Sequence, residues 1–165
     1  MARRAIAGIF LLAFGASAEA EVAISVDTQT QRMAVAIDGV PTYQWPVSTG
    51  ATGYWTPGGA YRPFRLEAEH YSKEWDDAPM PHSIFFTEQG HAIHGTKAVK
   101  ALGSPASHGC VRLALKNAAT LFTLVQRHGL ADTTIAIDSY ADFLGASDGL
   151  QGPDAYRQFM NAVGG

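Results

Sequence analysis

Residues 93–113 read IHGTKAVKALGSPASHGCVRL, and the organisation of the whole chain can be read outward from them. The run ends in SHGCVRL (107–113), which holds the only cysteine, Cys110. In an extended backbone, successive side chains point to opposite faces. His108, Cys110 and Arg112 then share one face, and Val111 and Leu113 share the other. A core can take the apolar pair while a cleft takes the polar trio. Upstream, SIFFTEQGHAIHG (83–95) predicts a hairpin: Ile84 to Phe86, a turn at Glu88, Gln89 and Gly90, then His91 to His94, closed by Gly95. Downstream the period changes. Leu115, Ala118, Ala119, Phe122 and Val125 follow helical spacing, with Lys116, Thr120, Thr123 and Arg127 opposite. This helix should stop at Gly129, with Arg127 and His128 suiting its negative end.

Further from the centre the signals are those of short strands. Val22, Ile24 and Val26 alternate with small or polar residues, as do Met33, Val35 and Ile37. DTQTQ and DGVP supply the turns between them. A third strand runs from Tyr43 to Val47, with Pro46 marking it as an edge or an ending. Residues 48–63, dense in Gly, Pro and Thr, predict a loop whose Tyr54, Trp55 and Tyr61 need somewhere to pack. EHYSKEWDDAPMP (69–81) predicts a second irregular segment, and Thr133 to Ile137 one more strand. The pattern is mainly β with one main α-helix after the cysteine motif.

The two ends are different in kind. MARRAIAGIFLLAFGASAEA has Arg3 and Arg4, an apolar run of ten residues from Ala5 to Phe14, and small residues at Ala16, Ala18 and Ala20. That is the layout of a cleavable secretory signal over residues 1–20, with cleavage after Ala18 or Ala20. The run is about half the ~20 residues a bilayer span needs, so no permanent membrane anchor is expected. Residues 21–138 then form one domain. Residues 139–165, rich in Gly, Ser and Asp, form an extension with a weak helical signal over 154–162. The formal net charge of −3 argues against nucleic acid as a partner, since nucleic acid is bound through a positive field. A lone cysteine excludes an internal disulfide framework.

The chemistry turns on which histidines meet Cys110. His70 and His128 carry no signal beyond that of surface or core residues. His91, His94, His108 and Cys110 are all acceptable zinc ligands. However, Gly90 and Gly95 bracket a segment too short for a helix, and on a strand His91 and His94 diverge. A metal site using both is therefore disfavoured, and no metal or other cofactor is called for. Nucleophilic catalysis needs a thiolate, a base and donors for an oxyanion. A free thiol with a pKa of about 8.5 is mostly protonated at neutral pH, and an imidazole near ~6.5 can take its proton. Either His94 or His108 can serve as that base. Gly109 has no side chain to shield the sulfur, and amides around Gly109 and Cys110 can form an oxyanion site. The chemistry so described is acyl transfer.

IHGT at 93–96, Gly103 and SHGCVRL at 107–113 together resemble the signature of the L,D-transpeptidase (YkuD-type) catalytic domain. STG at 48–50, TPGG at 56–59 and MP at 80–81 follow in the order usual for that family. The resemblance implies a β-sandwich-like fold with a groove under a flap. It implies Cys110 as nucleophile, His94 as its base, and the Gly109 and Cys110 amides as the oxyanion donors. His108 and Arg112 would shape the acyl-donor site, Arg112 by holding a substrate carboxylate, and Ser107 would brace the loop. Gly95 and His82 complete the implied substrate-binding set, His82 standing where family members often carry an aromatic residue. The implied reaction attacks the amide after the third residue of a peptidoglycan tetrapeptide stem, releases D-alanine and passes the acyl group to an amine. The implied partners are peptidoglycan stem peptides as donor and acceptor, or an envelope protein as acceptor. The implied location is the periplasm or cell wall, and the thiol would be a target of carbapenems. Two alternatives compete: the same thioester passed to water, as in an L,D-carboxypeptidase or endopeptidase, and a non-catalytic wall-binding module. The intact set of His94, His108, Cys110 and Arg112 speaks against the second.

Overall fold

The structure, a computed structural model, describes residues 21–138. The expected signal segment and the C-terminal extension, with its weak helix over 154–162, lie outside the described residues. Strands β1 (Val22–Asp27), β2 (Arg32–Ile37) and β3 (Val40–Pro46) form an antiparallel meander. The β2–β3 turn places Asp38 and Gly39 at φ 53° and 73°. Two successive positive φ values suit a tight hairpin, which is why Asp-Gly stands there. Pro41 and Pro46 are tolerated because β3 is the outer strand of its sheet, where a missing N–H breaks no central ladder. β11 (Thr133–Asp138) returns parallel to β1, and β4 (Gly59–Tyr61) adds to it, giving the order β3-β2-β1-β11-β4.

The second sheet has the order β10-β9-β8-β5. β5 (Arg65–Glu67), β8 (Ser83–Phe85) and β9 (Ala92–Thr96) are antiparallel neighbours, and β10 (Val111–Ala114) lies parallel to β9. The hairpin expected between residues 84 and 94 is thus β8–β9, although His91 falls in the turn and not on the strand. A separate two-stranded hairpin, β6 (Tyr71–Ser72) and β7 (Ala78–Pro79), occupies part of the segment read as irregular. β4, inside the predicted loop of 48–63, was likewise unexpected.

Helix α1 spans Leu115–His128, and Gly129 ends it at φ 100°. Its buried side chains are Ala118, Leu121, Phe122 and Val125. The stripe is therefore rotated from the expected one: Leu121 is inside, and Leu115 is 38% exposed. The principal core joins Val22, Ile24 and Val26 of β1, Met33 and Val35 of β2 and Ile135 and Ile137 of β11 to Ile93, Val111, Leu113 and the buried face of α1. Each fully buried aliphatic side chain there contributes roughly 1.5–3 kcal/mol. Among the described residues no helix is long and apolar enough to cross a membrane.

Candidate active site

The register of β9 on β10 sets the site. Ile93 pairs with Val111, His94 with Arg112 and Gly95 with Leu113. Paired residues of neighbouring strands point the same way, so Ile93, Val111 and Leu113 turn to the principal core. His94 and Arg112 turn to the opposite face. Cys110, one step before Val111, joins that second face, where it packs with Met80, Phe85 and Ala92 in a small cluster of its own. The strand parity expected of Cys110 and Arg112 is therefore observed. It fails at His108, because Gly109 adopts φ 113°, a left-handed conformation that breaks the extended run. His108 is exposed instead, with the indole of Trp75 stacked on its ring at 3.7 Å and 5°. Tyr54 meets the same imidazole edge-on at 4.7 Å.

His94 is 5% exposed, and its Nδ1 lies 2.9 Å from the carbonyl oxygen of Gly95. A carbonyl can only accept, so Nδ1 carries the proton and Nε2 keeps its lone pair. Burial lowers the His94 pKa to about 4, against the Gly95 hydrogen bond that raises it and with the charges of Arg112 and His70 lowering it further. The lowered value favours the neutral imidazole at neutral pH. Burial likewise raises the Cys110 thiol, offset in part by the Ala92 amide directed at the sulfur and by the Arg112 charge, while Glu74 raises it further. Both shifts oppose a resting thiolate–imidazolium pair. The Cys110 Sγ lies 3.9 Å from the carbonyl oxygen of Gly90.

The loop before the thiol is closed by Ser107, which is 1% exposed. Its hydroxyl donates to the Cys110 carbonyl at 2.5 Å and accepts from the Gly109 N–H at 3.1 Å. The Gly109 amide is thus already engaged, which corrects its expected part as a free oxyanion donor. Residues 47–51 zip this loop to the first sheet. Ser48 exchanges both backbone hydrogen bonds with Arg112, at 3.0 and 2.8 Å, and Thr49 accepts the amides of Ala106 and Ser107. Buried Gln31 then holds Thr49 through two side-chain bonds of 2.6 and 2.9 Å. A Cβ on Gly50 would lie 1.7 Å from the Tyr54 carbonyl oxygen, so only glycine fits there.

Two further site residues stand elsewhere than expected. The α-carbon of Gly95 faces α1 and not Cys110: a Cβ there would lie 3.0 Å from Leu115 and 3.3 Å from both Ala118 and Pro81. It has no surface for substrate and acts on the site only through its carbonyl. His82, at φ 58°, is packed edge-on against Phe122 of α1 at 5.6 Å, on the side of the sheet opposite Cys110. Arg112 is half-buried, with Nη1 donating to the Ala106 carbonyl at 3.1 Å.

Some neighbours of the site carried little signal in the sequence. The ring of His91 lies over Gly109, where a Cβ would come within 2.9 Å of its Cδ2, and its Nδ1 is 2.8 Å from the Thr87 hydroxyl. His70 sits edge-on to Phe85 at 5.0 Å and pairs with Glu67 at 2.5 Å. The Glu67–His70 spacing of three was its only visible cue. Trp75 was marked by nothing except its place in an apparently unstructured stretch. Among the described residues no three His, Cys, Asp or Glu side chains come together as a metal site.

Comparison with known proteins agrees with this geometry. The model of the YkuD L,D-transpeptidase catalytic domain matches residues 21–137. The chain belongs to this family. An L,D-transpeptidase from Stackebrandtia nassauensis shares 27% identity at a TM-score of 0.63, over 72% of this chain and 56% of that one. An L,D-transpeptidase from Mycobacterium smegmatis has the same fold at a TM-score of 0.66, with 23% identity over 73% of this chain and 59% of that one. L,D-transpeptidase 3 from Mycobacterium tuberculosis, solved with a faropenem-derived adduct, matches at 0.64 with 22% identity, over 73% of this chain and 61% of that one. The matched region spans about three-fifths of the length of these family members. No curated protein matches the chain.

Proposed function

We propose that this family member is a peptidoglycan L,D-transpeptidase with Cys110 as nucleophile and His94 as general base. The observation that carries this reading is the Gly95 carbonyl on His94 Nδ1, which leaves an unprotonated Nε2 on the sheet face shared with Cys110 and Arg112. As Cys110 Sγ attacks the amide after the third stem residue, its proton passes to His94 Nε2. Because neither group ionises readily at rest, deprotonation accompanies attack and does not precede it. The Cys110 amide faces the developing oxyanion. Collapse breaks the C–N bond, and the His94 proton leaves on the amine of D-alanine. An amine acceptor then attacks the thioester carbonyl, giving its proton to His94, and the thiol is regenerated. Arg112 holds the donor's carboxylate through a planar guanidinium.

Residues 1–20 act in this reading as an export signal, which puts the catalytic domain in the periplasm or cell wall. The acceptor is the side-chain amine of a second stem or of an envelope protein. The test is mass spectrometry of the purified enzyme with a tetrapeptide-stem donor. The wild type should release D-alanine, and a β-lactam of the penem or carbapenem class should add its mass at Cys110. Cys110→Ala should do neither while keeping the wild-type thermal transition. Release of D-alanine by that variant would overturn the nucleophile assignment.

A further inference from the structure

The turn between β8 and β9 meets the catalytic loop at two points. The carbonyl oxygen of Gly90 lies 3.9 Å from Cys110 Sγ, and the ring of the next residue, His91, lies over Gly109. A Cβ on Gly109 would come within 2.9 Å of His91 Cδ2, 3.0 Å of its Nε2 and 3.4 Å of the Trp55 carbonyl oxygen. The α-carbon of Gly109 is thus held between an imidazole edge and a backbone carbonyl, with no room for a side chain.

The other edge of that ring is fixed. The Gly90 N–H donates to the Thr87 carbonyl at 3.1 Å, which closes the turn. The buried Thr87 hydroxyl accepts the His91 amide at 3.1 Å and lies 2.8 Å from His91 Nδ1. Having accepted one N–H, it has a proton to give, and Nδ1 is the acceptor beside it. The proton of the ring then sits on Nε2. Burial lowers the His91 pKa, against the charge of Glu74, which agrees with a neutral ring. Phe86 flanks the imidazole at 6.3 Å.

Gly109 needs such a wall. At φ 113° it holds a conformation that a glycine enters freely and leaves as freely. Ser107 anchors its N–H from one side only. A rotation at Gly109 swings the peptide unit that carries the Cys110 N–H. That N–H is the donor left for the oxyanion once Ser107 has taken the Gly109 amide.

We propose that His91 is a positioning residue: its imidazole, held at one edge by Thr87, is the wall that keeps Gly109 in its left-handed turn and so aims the Cys110 amide at the carbonyl under attack. The proposal rests on the transpeptidase reading above.

Two rates at Cys110 test it, each per folded molecule, in wild type, His91→Asn, His91→Phe and Thr87→Val. Acylation by a β-lactam forms an oxyanion and needs the aimed amide. Alkylation by iodoacetamide displaces iodide from a carbon and forms none. Asparagine can keep the bond to Thr87 without the ring, and phenylalanine keeps a flat ring without the bond. Acylation should fall about 10²-fold in His91→Asn, the cost of a misplacement of about 1 Å, while alkylation stays near wild type. His91→Phe should keep most of the acylation rate. Thr87→Val should lose about fivefold, the size of one hydrogen bond. Hydrogen exchange at the Gly109 N–H, followed by NMR without any donor, should quicken in His91→Asn and not in His91→Phe. Acylation as slow in His91→Phe as in His91→Asn, wild-type acylation in His91→Asn, or equal losses in acylation and alkylation would overturn the proposal. Where His91→Asn does not fold, an unchanged acylation rate in Thr87→Val overturns it. If wild type releases no D-alanine from a stem donor while acylation and exchange still divide in this way, the transpeptidase reading fails and the positioning of Gly109 by His91 stands.

Discussion

The two faces of the β9–β10 ladder, built from alternate residues of the same strands, do opposite things. On one face Ile93, Val111 and Leu113 are at most 1% exposed and lie in the principal core with α1. On the other stand His94, Arg112 and, at the strand's entrance, Cys110. The apolar face fixes the strands in register, because a slip by one residue would send every side chain to the wrong side. The polar face inherits that precision without contributing much packing of its own. The proposed nucleophile and base thus come from neighbouring segments, one on β9 and one at the entrance of β10, yet their placement depends on hydrophobic contacts across the sheet.

Substitutions on the two faces should fail differently. The largest effect is expected for His94→Gln, which keeps most of the volume and removes the proposed base. Turnover should drop by about 10²–10⁴-fold, measured as D-alanine release, while the folded fraction at 25 °C is retained. A drop of less than tenfold would pass the role of base to another group. Next is Leu113→Ala on the core face, with a cost of ~2–5 kcal/mol in denaturant unfolding. Its activity per folded molecule should stay near wild type, and a large loss in that quantity would show that the two faces are not separable. The smallest effect is expected for Arg112→Lys. Donor use should weaken about tenfold, for loss of one bidentate contact with charge retained, while alkylation of Cys110 by a small neutral reagent changes little. Unchanged donor kinetics in both Arg112→Lys and Arg112→Ala would make the arginine a surface residue.

Legibility in the sequence followed the length of the local pattern. The strands β1 and β2 and helix α1 each carry several periods of alternation or helical spacing, the β8–β9 hairpin is marked by apolar runs on either side of a Glu-Gln-Gly turn, and each is present near its expected place. β4, β5, β6 and β7 have two or three residues each and exist through non-local pairing, so no local period announces them. Within the site, Cys110 and Arg112 could be placed on one face by parity because they lie on or beside a regular strand, whereas His94 was joined to them only by the family resemblance. His108 could not, since the left-handed Gly109 interposes a turn that a count of alternate residues does not see. Gly95 entered the substrate-binding set only through the family resemblance, whereas here its missing side chain makes room for Leu115, Ala118 and Pro81. His82 and Trp75 depend on which surfaces long irregular segments fold back upon. Sequence spacing is silent about that.

The claim on which the rest depends is a neutral His94 acting on a protonated Cys110. The pH dependence of β-lactam acylation of Cys110, followed by intact-protein mass, tests it most directly in wild type and His94→Gln. With His94 lowered to about 4 and the thiol raised, the wild-type rate should be flat from about pH 5 to pH 9. Below about pH 4 it should fall about tenfold per unit as the imidazole takes a proton. His94→Gln should lose that plateau, its rate rising with pH as thiolate alone becomes available. A wild-type profile that rises through pH 6.5, or one that His94→Gln leaves unchanged, would contradict the account.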